Sequence, residues 1–107
     1  MDVTRNLSLS RKKINSLFNT DLLKKVLEFG QPWLNKNNNM IFHDPLAGVC
    51  IFQPQLCEYE KGEISIELND KNKLGNTNFE KNTDGNHFIA TSVDKTKFFK
   101  HYFSTVL

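Results

Sequence analysis

The run Leu46-Ala47-Gly48-Val49-Cys50-Ile51-Phe52 constrains this chain more than any other. It is apolar almost without interruption, with His43-Asp44-Pro45 before it and Gln53-Pro54 after it. Asp44-Pro45 is a helix-start signal, because a carboxylate can accept from the orphan N–H groups of a first turn and proline has no N–H to lose there. Gln53-Pro54 ends the helix. A helix apolar around its whole circumference is expected to be buried on every side. With 107 residues, the chain is expected to form a single domain, residues 1–107, around one core; a domain of that size buries roughly 60–70 % of its unfolded surface and needs no metal or disulfide staple.

Before the apolar run, Ser10 is a helix cap, with Ile14, Leu17 and Phe18 at helical spacing behind it. This predicts a helix from Arg11 to Phe18, broken at Asn19-Thr20. A second helix is predicted from Thr20 or Asp21, with Leu22, Leu23, Val26 and Leu27 on one face, stopped by Gly30 and Pro32. Met40-Ile41-Phe42 reads as a short buried strand or the floor of a site. After Glu58 the period changes: Ile64, Ile66 and Leu68 alternate with polar residues as in a half-buried strand, and Asn69 to Lys73 form a turn. Thr77–Lys81 and His87–Val93 flank Asn82-Thr83-Asp84-Gly85, predicting a β-hairpin in which Asp-Gly supplies positive φ. Asp94 caps a last helix bearing Phe98, Phe99, Tyr102, Phe103 and Val106.

The charge balance excludes some functions. With 14 Lys+Arg against 12 Asp+Glu, the excess is +2 and evenly spread. A surface for nucleic acid needs clustered cations to displace counterions, so no nucleic-acid partner is expected. No apolar run reaches the length of a membrane span, and Asp2 follows Met1 where a secretory leader would carry basic residues. No membrane partner is expected, and a cytoplasmic location is. Cys50 and Cys57, seven positions apart, form no CxxC and have no histidine pair at metal-ligand spacing, and both read as buried thiols.

Chemistry concentrates at His43 and Asp44. Asp44 either caps the helix, with His43 bonding locally, or both point into a cleft at the end of the preceding strand, where α/β sheets place ligands. There Asp44 would bind a hard cation and His43 would exchange a proton near neutral pH. His87 reads as a surface or half-buried residue of its strand, and His101 beside Lys100 as a solvated one. Trp33 reads as a core residue, with stacking on a nucleobase as the alternative. Gly62, Gly75 and Gly85 lack the context of a phosphate loop, and the serines lack that of a nucleophile elbow.

Ile41-Phe42-His43-Asp44-Pro45-Leu46-Ala47 resembles the C-terminal HDPLA signature of the inosine/uridine-preferring nucleoside hydrolases. The resemblance extends to Asp2-Val3-Thr4 and the Ser10 helix before it. After it come the Ile64–Leu68 strand, Gly75, Asp84-Gly85, Asp94 and Phe98-Phe99. It implies an α/β fold: the C-terminal part of an open, mostly parallel sheet with flanking helices and a terminal antiparallel hairpin. It also implies hydrolysis of a ribonucleoside to ribose and free base, with Ca²⁺ holding the ribose hydroxyls and the attacking water. By the same resemblance Asp44 is a calcium ligand, and His43 protonates the departing base, a role suited to a histidine near pH 7.

The aspartate-rich DTDxGxDD motif of that family has no counterpart here, since Asp2 and Asp21 lack its spacing. The chain is therefore expected to match about the last third of a family member and to be inactive alone. Completion by the missing N-terminal part, or self-association, is expected. The alternative is a non-catalytic remnant, or a binding or structural module that keeps the scaffold.

Overall fold

A computed structural model describes residues 2–106. Asp2 opens a 3-10 turn, Val3–Asn6, and the elements follow in the order β1 (Ser8–Ser10), α1 (Arg11–Leu17), α2 (Asp21–Lys36), β2 (Asn39–Ile41), α3 (His43–Phe52), β3 (Cys57–Ile66), β4 (Thr77–Lys81), β5 (His87–Val93) and α4 (Lys95–Thr105). Three of the four helices start at side-chain caps, two of which, Ser10 and Asp94, are expected from the sequence. Ser10 Oγ accepts from the Lys13 N–H at 3.4 Å, Thr20 Oγ1 from Leu23 at 3.3 Å, and Asp94 Oδ1 from Lys97 at 2.9 Å; each satisfies a donor that would otherwise lack a partner.

The strands form two antiparallel sheets, not the mostly parallel sheet expected. β1 pairs with β2, and β3 lies between β4 and β5. A parallel pair needs a crossover, usually helical, between its strands; β3, β4 and β5 follow one another with no helix between them. The expected hairpin of β4 with β5 is also absent. Both strands pair with β3, β5 along Cys57–Gly62 and β4 along Gly62–Ile66, so Gly62 is where one partner gives way to the other. Thr91 is the extra residue of a bulge opposite Glu58 and Tyr59.

The glycine roles change accordingly. Gly75, in the loop between β3 and β4, has φ +84°, whereas no other described glycine has a positive φ. Gly85 is needed for space: it is buried, and a Cβ there would run into the backbone of Gly62.

The core joins Leu7, Leu9, Ile14, Phe18, Leu23, Leu34, Phe42, Leu46, Cys57 and Phe98. Phe42 is its hub. Its ring meets Phe18, Phe98, Phe99 and Tyr102 edge-on, at centroid distances of 6.5, 6.1, 5.1 and 5.3 Å, the arrangement that aromatic quadrupoles favour. Met40–Phe42 is not the buried strand that was one expectation: only Phe42 is buried, for β2 is one strand of a two-stranded ribbon and Ile41 is open on its outer face.

α2 does not stop at Gly30 or Pro32. Pro32 lacks the N–H that would bond the Glu28 carbonyl, but Glu28 is exposed, so water can take the bond; fully buried Leu34 anchors the turn beyond. α3 departs furthest from expectation. It begins at His43 with Phe42 in the cap position, Asp44 lies inside its first turn, and only Leu46 is buried. Ile51 and Phe52 are each 76 % exposed, because the helix packs on the core along Leu46, Val49 and Cys50 and the side bearing Ala47, Gly48, Ile51 and Phe52 is left open. Cys57 is buried as expected, while Cys50 is half-buried with its Sγ 3.7 Å from that of Cys57.

The molecule is flat, 45 × 33 × 17 Å, and its radius of gyration of 16.8 Å exceeds the ~13 Å of a globule of this length. Among the described residues no helix is long and apolar enough to cross a membrane.

Candidate functional site

The buried Phe42 ring fixes the start of α3, and the residue after it, His43, faces a cavity of about 500 Å³. Ser8 of β1, Met40 and Ile41 of β2, Trp33 of α2 and the Asn37–Asn39 segment line the rest. Continuation of α2 past Pro32 is what brings Trp33 there. Its indole is 59 % exposed rather than packed in the core, and its Nε1 donates to the Asn39 carbonyl at 3.4 Å. Asn37 Nδ2 donates to the Trp33 carbonyl at 3.1 Å and ties the asparagine segment to the end of the helix.

The imidazole of His43 is held from the other end of the sequence. Thr4 Oγ1 lies 2.5 Å from His43 Nδ1, and the same hydroxyl donates to Asp2 Oδ1 at 2.5 Å. The Thr4 N–H also donates to that carboxylate oxygen at 3.0 Å, and Arg5 Nε lies 3.6 Å from Oδ2. The Asp2 carboxyl is held below the ordinary carboxylate range, first by the Thr4 hydroxyl and then by the Thr4 N–H and its neighbours His43 and Arg5. This chain of contacts spans 39 positions in sequence, between a 3-10 turn and a helix start. No local spacing signals it, although Asp2 and Thr4 both belong to the resemblance.

Asp44 is exposed and does not line the cavity. Its charge lies in the first turn of α3, where it complements the helix dipole. Among the described residues, no three His, Cys, Asp or Glu side chains come together to hold a metal ion. A calcium ion takes six to eight oxygens, so the donor set of residues 2–106 does not by itself fit one. His87 is elsewhere, with Nδ1 3.1 Å from Glu63 Oε2 on the β3–β5 sheet, and His101 lies on α4. Neither lines the cavity.

No protein-family model and no curated protein sequence matches the chain. Among solved structures it superposes on an inosine-guanosine nucleoside hydrolase with a TM-score of 0.85 over 99 % of its own length, at 18 % sequence identity. The fold is nucleoside-hydrolase-like. The chain spans 37 % of the length of that hydrolase.

Proposed function

We propose that the chain provides the histidine-bearing part of a nucleoside hydrolase site, which converts a ribonucleoside and water to ribose and free base. The observation that carries this is the placement of His43 and the open face of Trp33 in one cavity of a nucleoside-hydrolase-like fold. A nucleobase is flat and apolar on its faces, and an exposed indole offers it a stacking partner. When the glycosidic bond breaks, its electron pair passes to the base nitrogen, and that nitrogen needs a proton. An imidazolium at His43 can give one, which makes His43 the general acid. Asp44 adds one carboxylate; a calcium ion would need further oxygens, and the attacking water a general base, from another polypeptide segment.

Trp33 is the only tryptophan, so its emission reports on the cavity directly. Inosine is expected to quench it saturably, and His43→Ala to weaken that response, while the chain alone releases no reducing sugar. Unchanged emission at saturating inosine would overturn the reading. The same cavity, with Trp33 open on its wall, also suits a second reading, a nucleoside-binding module without turnover. It predicts quenching that never becomes ribose release, even when a hydrolase segment carrying the carboxylate cluster is added.

A further inference from the structure

We propose that Thr4 and Asp2 are positioning residues that hold the His43 ring in its Nδ1–H form, leaving Nε2 as the nitrogen presented to a ligand in the cavity. This deepens the proposed function and rests on it for its purpose, though not for its geometry.

The argument turns on a single proton. The Thr4 hydroxyl has one, and two groups lie close enough to take it: Asp2 Oδ1 at 2.5 Å and His43 Nδ1 at 2.5 Å. Asp2 is exposed, accepts the Thr4 N–H and lies near Arg5, so at neutral pH it is an ionised carboxylate. Such a group only accepts hydrogen bonds. If Thr4 gave its proton to the ring, two oxygens with no hydrogen between them would be in contact, one of them charged. The charge-assisted bond to Asp2 is the stronger, so the proton lies there. The hydroxyl then turns lone pairs toward His43, and Nδ1 must carry its own proton. Among the described residues no other hydrogen bond engages the ring.

This arrangement matches what a proton donor requires. A doubly protonated ring gives its Nε2 proton to the departing base nitrogen, which receives the electron pair of the broken glycosidic bond. The ring left behind is neutral with hydrogen on Nδ1, the form that Thr4 and Asp2 favour. Reversed, the tautomer would turn a bare Nδ1 toward the Thr4 lone pairs.

The test uses the chain labelled with ¹⁵N at histidine and two-bond ¹H–¹⁵N spectra recorded where the rings are neutral, with His43→Gln assigning the signals. The wild type is expected to show a protonated-type shift at Nδ1 and a lone-pair-type shift at Nε2. Asp2→Ala frees the Thr4 proton for Nδ1 and is expected to move the ring to the Nε2–H form; Thr4→Val removes the acceptor and does the same, and Thr4→Ser restores the original pattern. Asp2 is exposed, so its variant remains informative if Thr4→Val fails to fold. An Nε2–H ring in the wild type, or a tautomer unmoved by Asp2→Ala, overturns the proposal. Inosine added to the wild type separates the two claims: an Nε2 signal that stays still on an intact Nδ1–H ring removes the nucleoside reading and leaves the positioning role standing.

Discussion

Replacing Phe42 tests whether the aromatic hub beneath His43 holds the domain together. Its side chain is 2 % exposed, and four rings meet it edge-on. Truncation to alanine removes the buried ring and leaves a cavity, a loss of about 4 kcal/mol. Against a total of about 5–15 kcal/mol for a small domain, that is a large share; at 1.4 kcal/mol per decade, it raises the unfolded-to-folded ratio about 700-fold. Phe42→Leu keeps most of the apolar volume and loses chiefly the ring-edge contacts. These are worth about 0.5–1.5 kcal/mol apiece in isolation, but they share one ring and do not add, so about 2 kcal/mol is expected. Phe29 is 86 % exposed, and its alanine variant should stay within about 0.5 kcal/mol of wild type. Urea unfolding followed by circular dichroism, with the slope of each transition compared, measures all three. Equal losses for Phe42→Leu and Phe42→Ala would refute the assignment of stability to ring geometry, and a loss at Phe29 matching that at Phe42 would refute the assigned core.

Gly85→Ala should cost about 2 kcal/mol or more, because its Cβ would meet the Gly62 backbone, which cannot turn aside as a side chain can; a midpoint unchanged from wild type would count against that contact. The Asp94 carboxyl is held below its ordinary range by the Lys97 N–H and then the Lys97 side chain. Its contribution is therefore present above the unfolded-state value and lost as pH falls through the folded one. Asp94→Asn is expected to lower the thermal midpoint at neutral pH, with the gap to wild type closing in acid; a gap that persists in acid would refute the capping charge. The exposed Leu22, Val26 and Phe29 repeat at helical spacing along α2, away from the cavity, and should drive self-association. Phe29→Glu is expected to weaken it in sedimentation, and a wild type that stays monomeric as its concentration rises would contradict this.

What the sequence made legible was local. The caps at Ser10 and Asp94, a strand through Ile64 and Ile66 and the start of α3 next to His43 all depend on neighbours within a few positions, whereas the half-buried alternation expected at Ile64, Ile66 and Leu68 is absent, since no layer covers that end of β3. What it hid was decided at a distance. Pro32 looked like a stop because its cost is written in the sequence, whereas the burial of Leu34 that offsets it is not. Ile51 and Phe52 looked buried because their polarity says nothing about whether a second layer covers them. Asp84-Gly85 carries a turn signal that points to a hairpin, while the partner of both flanking strands is β3, which nothing near Gly85 in the sequence announces. At the site, His43 was legible as a motif and Trp33 only as an alternative; the contact from Thr4 came from folding alone.

The handover of pairing at Gly62 divides the molecule in time as well as in space. Among the described residues, none between Cys57 and Ala90 belongs to the core, and β4 contributes no buried side chain. The arm formed by the far half of β3, the Gly75 loop and β4 is thus held by its ladder and little apolar burial, with Ile66, Leu68 and Leu74 largely open to water. Segments of that kind open without unfolding the rest. Backbone amides from Glu63 to Lys81 should exchange with solvent well ahead of those around Phe42 and Phe98, and a protease should cut the arm near Gly75 first. A domain cut there would keep the anchor of His43 and its tie to Thr4, so the arm is where this chain can accept an insertion or a label without disturbing its chemistry.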